Sequence, residues 1–333
     1  MCTRATYLGP EDTVITTRTL DWAAPLGTNI WVYPRGLHRD GAAGPNSLQW
    51  TAKYGSITAS GFEATTIDGM NEKGLVANVL YLAEADYGTP GHDDSRKLIS
   101  VSAWGQYVLD HFATVAEAVA ALRREPFSIV TVETPDGHAG TVHLAISDPT
   151  GDSAIFEYVA GKLVIHHGRQ YQVMTNSPIY DQQLALNAYW EQIGGTVMLP
   201  GTNRAADRFV RASFYIKAIP QTAEINLALA SAFGVIRNCS VPLGISTPGQ
   251  PNISSTLWRT VADQKNRVYF FESAQSPFLL WVNLADLDFA AGAPSKKLTL
   301  TEESALKDNG AFVSGNAAAW LRPAEPFAFL PAV

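Results

Sequence analysis

Cys2 and Cys239 are the two thiols of this 333-residue sequence, and only Cys2 stands where a thiol could do chemistry. If an aminopeptidase removes Met1, which a small second residue permits, Cys2 carries a free α-amine beside its thiol. The amine titrates at about 7.7–8.0 and the thiol at about 8.5, so the amine can take the thiol's proton near neutral pH. This pair would form an N-terminal nucleophile, although position alone favours the plainer interpretation of an arbitrary second residue.

Four polar residues elsewhere in the sequence could assist such a nucleophile. Arg18 and Asp21 lie together at the end of a predicted strand, where a cation would favour the Cys2 thiolate and a carboxylate could hold the protonated amine. Asn176 follows a predicted strand and precedes a helix, where its side-chain amide can point a donor at a tetrahedral oxyanion. Arg208 lies on a predicted helix, and the pattern alone makes it a solvent-facing charge. Sequence spacing by itself does not bring these positions together.

The composition excludes several classes of function. There are 24 Lys and Arg against 31 Asp and Glu, a net charge of −7, which argues against nonspecific binding to nucleic acid or to an anionic membrane surface. The apolar runs are far shorter than the roughly 20 residues of a membrane-spanning helix. Two cysteines cannot form a disulfide framework or a four-thiolate zinc site, and Cys239 is interpreted as a small core residue. His166 and His167, the one histidine pair, would point to opposite faces of a strand, so no metal is expected.

The elements that must position these residues occur in blocks rather than in βα alternation. Strands are predicted over residues 13–20, 29–33, 56–59, 75–82, 141–147, 154–158, 163–166, 171–175, 256–261, 267–271 and 279–282. Helices are predicted over 98–111, from a capping box at 114–117 to 123–124, from Pro178 onward, over 203–219 with Asn203 as its cap, and over 223–237. Separate blocks favour an α+β layered fold, and the absence of a linker or composition break predicts one domain.

Five short motifs occur in order along the chain. They are MCTR at 1–4, TRTLDW at 17–22, NEKGL at 71–75, MTNSP at 174–178, and LPG at 199–201 followed by RFVRA at 208–212. This series resembles the choloylglycine hydrolase family, which comprises penicillin V acylases and bile salt hydrolases, within the N-terminal nucleophile (Ntn) hydrolases. Each motif alone is weak, but the ordered series, with TLWRT at 256–260, extends the resemblance over nearly the whole chain.

The resemblance implies a fold, an activity and a set of site residues. The fold is a four-layer αββα sandwich of two antiparallel sheets flanked by helices, formed by one domain over residues 2–333 after removal of Met1. The activity is hydrolysis of linear, non-peptide amides through an acyl-enzyme, without metal or cofactor, by a protein that is usually a homotetramer. The implied site residues are Cys2 as the nucleophile, Arg18 and Asp21 beside it, Asn176 and the backbone N–H of Tyr81 as the oxyanion hole, and Arg208 completing the polar network.

Two departures from the Gram-positive bile salt hydrolases place the sequence nearer to the Gram-negative branch. Tyr81 stands where those enzymes have Asn, as it does in penicillin V acylases, and the stretch between Asn176 and Arg208 lacks a long inserted loop that contributes to their tetramer packing. In the Gram-negative branch, penicillin V acylase activity occurs beside deacylation of N-acyl homoserine lactones. The expected substrate is therefore a penicillin V-like amide, with an acyl homoserine lactone or a bile salt as alternatives.

Trp22 and Tyr81 are expected to line the acyl pocket, because aromatic faces suit a phenoxyacetyl group or a lipid chain. The alternative is that Trp22 is a core aromatic that follows its strand. Two non-catalytic functions stay open: an inactive relative that binds acyl ligands, and a structural assembly protein. Relatives in the Gram-negative branch are typically exported, so a periplasmic location is expected if Met1 replaces a removed signal peptide, and a cytoplasmic one otherwise.

Overall fold

The computed structural model describes residues 2–89, 95–247, 250–276, 278–300, 307–308, 311–312 and 314–333. Met1, whose removal the sequence predicts, lies outside the described residues. In chain order the strands are β1 (Cys2–Leu8), β2 (Val14–Asp21), β3 (Ile30–Tyr33), β4 (His38–Asp40), β5 (Gln49–Thr51), β6 (Ser56–Gly61), β7 (Thr65–Asn71), β8 (Val76–Tyr81), β9 (Lys97–Ser100), β10 (Phe127–Val130), β11 (Val142–Ser147), β12 (Ser153–Val159), β13 (Lys162–His167), β14 (Val173–Met174), β15 (Ser246–Thr247), β16 (Gln250–Ser254), β17 (Thr256–Asp263), β18 (Val268–Ser273), β19 (Leu279–Asn283), β20 (Lys296–Leu298), β21 (Lys307–Asp308), β22 (Ala311–Phe312), β23 (Gly315–Asn316) and β24 (Arg322–Pro323). The helices are α1 (Val101–His111), α2 (Val115–Leu122), α3 (Tyr180–Ile193), α4 (Ala205–Ala218) and α5 (Ile225–Asn238).

Seven strands form the first sheet, in the order β14-β1-β2-β17-β18-β19-β23, and all its pairs are antiparallel except β19 with β23. The sequence of β2, VITTRTLD, is rich in β-branched residues, which suit a pleated surface. β1 lies inside this sheet, and its register places Cys2 opposite Leu20 and Arg4 opposite Arg18. Because cross-strand partners and residues two apart share a face, these four side chains point to the same side of the sheet.

Nine antiparallel strands form the second sheet, in the order β13-β12-β11-β8-β7-β6-β3-β20-β24. One buried apolar cluster joins the two sheets to α4 and α5, with Ile57, Leu80 and Phe209 among its members. A second cluster joins the other face of this sheet to α1 and α2, with Phe156 and Val108 among its members. The layers therefore run helix, sheet, sheet, helix, and the four-layer αββα sandwich that the resemblance implies is confirmed.

Some element ends differ from the sequence-based expectation. Helix α1 begins at Val101 rather than at residue 98, because residues 97–100 form β9, which pairs in parallel with β10. Ser100 then caps α1, its hydroxyl accepting from the Ser102 N–H at 3.3 Å. Pro178 precedes α3 by two residues instead of lying in its first turn.

Asn203 does not cap α4, contrary to the prediction. The N-cap residue is Arg204, which makes no side-chain capping bond. Asn203 instead uses its backbone carbonyl to accept from Arg208 Nε at 3.0 Å. Asn203 therefore supports the buried Arg208 side chain through its backbone rather than capping the helix. No helix among the described residues is long and apolar enough to cross a membrane.

Candidate active site

Cys2 begins β1, is only 4% exposed, and has a distinct partner for each of its polar atoms. Its backbone nitrogen donates to Asn176 Oδ1 at 2.7 Å, and its carbonyl accepts from Arg208 Nη1 at 2.6 Å. Its sulfur accepts from Arg18 Nη2 at 3.5 Å. The nitrogen, the carbonyl and the thiol of the predicted nucleophile are therefore each oriented by a separate side chain.

Arg18 is fully buried beside the Cys2 sulfur, and backbone carbonyls satisfy its guanidinium. Nε donates to the Thr19 carbonyl at 3.0 Å, Nη1 to the Ile67 carbonyl at 3.0 Å, and Nη2 to the Val79 carbonyl at 2.9 Å. A buried charge is tolerated only when it is hydrogen-bonded and paired in this way. The cation beside the thiol is thus fixed in place by both sheets.

Asp68 supplies the negative charge behind Arg18, and the sequence reasoning missed it. Its carboxylate lies 3.5 Å from Arg18 Nη1 and accepts from the Tyr269 hydroxyl at 2.5 Å and from Asn78 Nδ2 at 2.6 Å. Burial raises the pKa of Asp68, while Arg18 and these hydrogen bonds oppose the rise. The available signal was a carboxylate inside the otherwise uncharged strand TTIDGMN.

Asn176 links Cys2 to the second sheet through both ends of its amide. Oδ1 accepts from the Cys2 nitrogen and from Arg208 Nη2 at 2.9 Å, and Nδ2 donates to the Tyr81 carbonyl at 2.6 Å. Two donors at one end and an acceptor at the other determine which way the amide points. Because an amide NH₂ carries two hydrogens, one remains for a further acceptor next to Cys2.

Tyr81 ends β8, and the direction of its backbone N–H follows from the strand pairing. The Leu82 N–H donates to the Thr141 carbonyl on the β11 side. Successive N–H groups alternate between the two edges of a strand, so the Tyr81 N–H faces the opposite edge. The Val79 carbonyl, which accepts from Arg18, faces that same edge. Both donors predicted for the oxyanion hole therefore lie near Cys2 and Arg18.

Arg208 is fully buried, so its expected position as a solvent-facing charge is wrong. Besides the Cys2 carbonyl, Nη1 contacts Thr3 Oγ1 at 2.5 Å and lies 3.7 Å from Asp21 Oδ2. Asp21 is itself buried and accepts from Thr256 Oγ1 at 2.6 Å. Burial lowers the pKa of Arg208, and Asp21 and Cys2 oppose that shift. The structure therefore brings Arg208 and Asp21 together at the backbone of the predicted nucleophile.

An apolar cleft with about 700 Å³ of empty space, part of it open to solvent, leads to Cys2. Trp22 and Tyr81 both line it, with ring centroids 5.5 Å apart in an edge-to-face arrangement. Trp22 also packs against the core between the sheets, so it is both a core aromatic and a residue that lines the cleft. Its indole N–H donates to Asp136 Oδ2 at 2.7 Å, a contact that the sequence did not reveal.

The second thiol and the pair His166 and His167 lie outside this constellation. Cys239 is fully buried, and burial raises the pKa of its thiol to about 11, as suits a core residue. His166 and His167 lie near separate carboxylates, Asp181 at 3.6 Å and Asp152 at 2.8 Å. Within the described ranges of the chain, no group of side chains could hold a metal ion.

Relatives with known names align with most of this chain. The model of the linear amide C–N hydrolases, choloylglycine hydrolase family, matches residues 2–297. Penicillin V acylase of Pectobacterium atrosepticum is 52% identical, over 98% of this chain and 92% of its own length. Bile salt hydrolase/transferase of Bifidobacterium longum subsp. longum is 23% identical, over 86% of this chain and 96% of its own.

Solved structures show the same architecture. Penicillin V acylase from Agrobacterium tumefaciens is 56% identical and has a TM-score of 0.89, covering 99% of this chain and 100% of that one. A variant of the conjugated bile acid hydrolase from Clostridium perfringens, 22% identical, shares the fold with a TM-score of 0.78, covering 94% of this chain and 98% of that one. The resemblance drawn from the motifs is confirmed: this amidohydrolase belongs to the choloylglycine hydrolase family of linear amide C–N hydrolases.

Proposed function

We propose that the protein is an acylase of the penicillin V type, which cleaves the amide of an aromatic acyl group through an acyl-Cys2 intermediate. One observation carries the proposal: the thiol of Cys2 lies beside a fixed cation, Arg18, at the wall of an apolar cleft. The two penicillin V acylases that are more than half identical to this chain support the choice of substrate.

The contacts of Cys2 suggest a role for each neighbour in the reaction. With Met1 removed, the Cys2 α-amine accepts the thiol proton and Sγ attacks the amide carbonyl, so that an S–C bond forms. The second hydrogen of Asn176 Nδ2 and the Tyr81 N–H stabilise the oxyanion, each such donor being worth about 2.7–4 kcal/mol. The C–N bond then breaks as the ammonium returns its proton to the leaving amine.

Deacylation uses the same groups in reverse. The neutral α-amine of Cys2 takes a proton from water, hydroxide adds to the thioester carbonyl, and the S–C bond breaks to release a carboxylic acid. Asn176 Oδ1 and the Arg208 and Asp21 pair hold the amine and the Cys2 carbonyl during both halves. Every proton therefore passes through the residue that also supplies the nucleophile.

A phenoxyacetyl group suits this cleft because Trp22 and Tyr81 line it together with Cys2, and aromatic rings pack well against another aromatic ring. Apolar side chains also line the cleft, among them Val101, Val132 and Leu330. Such a lining also suits a long acyl chain. Acyl homoserine lactones and conjugated bile salts are therefore the competing substrates that an experiment must include.

The test compares kcat/KM for penicillin V, long-chain acyl homoserine lactones and glyco- or tauro-conjugated bile salts. We expect the wild-type protein to prefer penicillin V and to show an acyl adduct on Cys2 by mass spectrometry. Cys2→Ala should remove both turnover and adduct. Full turnover by Cys2→Ala would overturn the mechanism, a bile salt or lactone preference would overturn the substrate, and ligand binding without any adduct would indicate an inactive acyl-binding relative.

The homo-oligomer, a tetramer by resemblance, stays a prediction, as does the location in the cell. Large apolar side chains are exposed on α3 and on the segment after it, which supports burial against another copy: Leu186, Tyr189, Ile193, Val197 and Met198. Light scattering coupled to size exclusion measures the number of subunits directly, and a monomer would contradict the prediction.

A further inference from the structure

A buried histidine and glutamate pair lies behind the candidate active site and takes no part in the mechanism above. His143 on β11 and Glu157 on β12 lie on neighbouring strands and are 0% and 1% exposed. His143 Nδ1 lies 2.7 Å from Glu157 Oε1, and Nε2 lies 2.8 Å from the carbonyl oxygen of Thr175. Neither side chain lines the cleft.

The chemistry of these contacts determines where the protons are. The Thr175 carbonyl can only accept, so Nε2 of His143 must carry a hydrogen. Nδ1 and Glu157 Oε1 then share one proton, either as imidazolium with carboxylate or as neutral imidazole with carboxylic acid. In both states Nε2 keeps its hydrogen and donates to the Thr175 carbonyl, because the shared proton lies on the Glu157 side of the ring, at Nδ1.

The glutamate is held as firmly as the histidine. Glu157 Oε2 accepts from the backbone N–H of Tyr180, the first residue of α3, at 2.9 Å. Thr175 is also held through its side chain, whose hydroxyl contacts Gln183 Oε1 at 2.7 Å and the Ala205 carbonyl at 3.0 Å. The second sheet, α3 and α4 therefore meet at the residue that directly precedes Asn176.

We propose that His143 is a positioning residue for the acyl transfer, acting through the Thr175 carbonyl on the amide of Asn176. The inference rests on the proposed function, because it assigns Asn176 to the oxyanion. Asn176 Nδ2 contributes fully only if its second hydrogen points at the developing charge beside Cys2, and small displacements of such groups are costly. His143 fixes the backbone from which that amide projects.

Two matched substitutions separate the contributions of the two ring nitrogens of His143. In His143→Gln the amide nitrogen lies near the Nε2 position and can still donate to Thr175. In His143→Asn the amide lies near the Nδ1 position, so the contact with Glu157 survives and the contact with Thr175 is lost. We expect kcat to fall roughly 10- to 100-fold in His143→Asn with little change in KM, and His143→Gln to stay within a few fold of wild type.

The loss should fall on kcat because the oxyanion contact exists in the transition state and not in the bound substrate. Asn176→Ala supplies the decisive control. If His143 acts through Asn176, adding His143→Asn to Asn176→Ala should lower kcat no further, whereas independent effects would multiply. Multiplying losses, or equal kcat values for His143→Asn and His143→Gln, would overturn the proposal.

A second variant covers the case in which His143→Asn does not fold. His143→Leu combined with Glu157→Gln removes the ring without leaving a buried unpaired charge, and the oxygen of the new side-chain amide can still accept from the Tyr180 N–H. The folded double variant should show the same kcat loss, and wild-type kcat would overturn the proposal. A wild-type protein without acyl-Cys2 would overturn the proposed function instead, so the two failures are distinguishable.

Discussion

Arg18 and Arg208 are two fully buried guanidinium groups that meet Cys2 at different atoms, one at the thiol and the other at the carbonyl. Each is paired with a buried carboxylate, Asp68 and Asp21 respectively. Guanidinium stays protonated throughout the physiological range, so the positive charge at the thiol does not vary with pH in the way a histidine would allow. The cost is that each pair requires several well-aligned hydrogen bonds to be tolerated inside the protein.

Tyr269→Phe tests the support of Asp68. Burial raises the pKa of Asp68, and the Tyr269 hydroxyl opposes this rise, so removing the hydroxyl raises the pKa further. When the pKa of a carboxyl is higher in the folded than in the unfolded protein, its protonated form stabilises the folded state at low pH. That stabilisation is lost as the pH rises through the folded-state pKa. We expect Tyr269→Phe to lower the free energy of unfolding by about 1–3 kcal/mol at neutral to alkaline pH, and by less in acid.

Urea unfolding in mildly acidic and mildly alkaline buffer measures that difference. Tyr87→Phe is the matched control, because the Tyr87 hydroxyl donates to the Val142 carbonyl at 3.0 Å and accepts from the Val142 N–H at 2.8 Å, with no carboxylate involved. Its effect should be the same in both buffers. An equally pH-independent loss in Tyr269→Phe would contradict the role given to Asp68.

At the scale of elements, the cleft lies where strands β2 and β8 end, and the loop between β10 and β11 forms part of its lining. The loop is closed by short bonds: the Thr134 N–H donates to the His138 carbonyl at 2.8 Å, and the Thr134 hydroxyl contacts Asp136 Oδ1 at 2.5 Å. Asp136 then holds the Trp22 indole, and the His138 ring lies 5.7 Å from it. The loop thereby fixes the orientation of the Trp22 ring, which directly follows β2 and lines the cleft.

Asp136→Ala should make the position of the Trp22 ring less fixed, because it removes the acceptor of the indole N–H. Partial burial opposes ionisation of Asp136, but hydrogen bonds from Thr134, Trp22 and His138 outweigh it and hold the pKa below its ordinary value. The carboxylate is therefore charged, and available to Trp22, at neutral pH. We expect KM for penicillin V to rise roughly threefold to tenfold with kcat nearly unchanged. A hydrogen bond to a charged group is worth about 1.5–3 kcal/mol, and only part of that energy reaches the substrate, because the bond acts on it through the orientation of the Trp22 ring.

Asp136→Asn keeps an acceptor oxygen and is the matched control, for which a smaller rise in KM is expected. Trp22→Ala should raise KM more than Asp136→Ala, since it removes the ring itself. Steady-state kinetics together with melting temperatures separate these effects from unfolding. A fall in kcat at constant KM in Asp136→Ala would contradict a role in binding the acyl group.

The elements were more predictable than the contacts between them. The strand predicted over 75–82 is β8, and the helix predicted over 223–237 is α5, because a continuous apolar run and helical spacing report directly on burial. Arg208 was placed in solvent for the same reason: a periodic pattern assigns charges to the outside, and only the tertiary structure supplies the buried partners that reverse this. His143 and Glu157 were missed because no local pattern marks a buried polar contact, and Asp68 was missed although it is a lone carboxylate inside an otherwise uncharged strand.

The motifs recovered what periodicity could not. Cys2, Arg18, Asp21, Asn176 and Arg208 were brought together by resemblance alone, since their spacing carries no geometric signal. The structure now places them in one hydrogen-bonded group. Asn203 shows the limit in the other direction, because its residue type suits a helix cap but the structure uses its backbone carbonyl to hold Arg208 instead.

On the scale of the whole molecule, the residues that line the cleft come from both apolar clusters, one on each face of the second sheet. Cys2 belongs to the core between the sheets, whereas Val101 and Leu330 pack with the core under α1. Leu330 is held by its backbone: its carbonyl accepts from the Ser100 and Ser102 hydroxyls at 2.6 and 3.0 Å, and its N–H donates to the Ala64 carbonyl at 2.9 Å. Its side chain therefore limits the space at the part of the cleft next to α1.

Leu330→Ala should favour longer acyl groups. Removing its branched end frees room for a few methylene groups, each worth about 0.8 kcal/mol when buried. We expect the ratio of kcat/KM for long over short acyl amides to rise roughly tenfold, and to fall in Leu330→Phe. Leu287→Ala, which removes a partly buried leucine outside the cleft, controls for general loosening of the protein. An unchanged ratio in both Leu330 variants would contradict this placement.

The wide separation of the site residues along the chain affects when the site can exist. The partners of the Cys2 nitrogen and carbonyl are 174 and 206 residues away, at Asn176 and Arg208. At about 5–20 residues per second, the ribosome needs roughly 10–40 s after Cys2 to reach Arg208. For most of that interval β1 has β2 as a possible neighbour but neither β14 nor α4. Arg18, the partner of the Cys2 thiol, follows it by only 16 residues. The partners of its nitrogen and carbonyl come after more than half of the 333 residues, so the hydrogen bonds around Cys2 can be completed only late in synthesis.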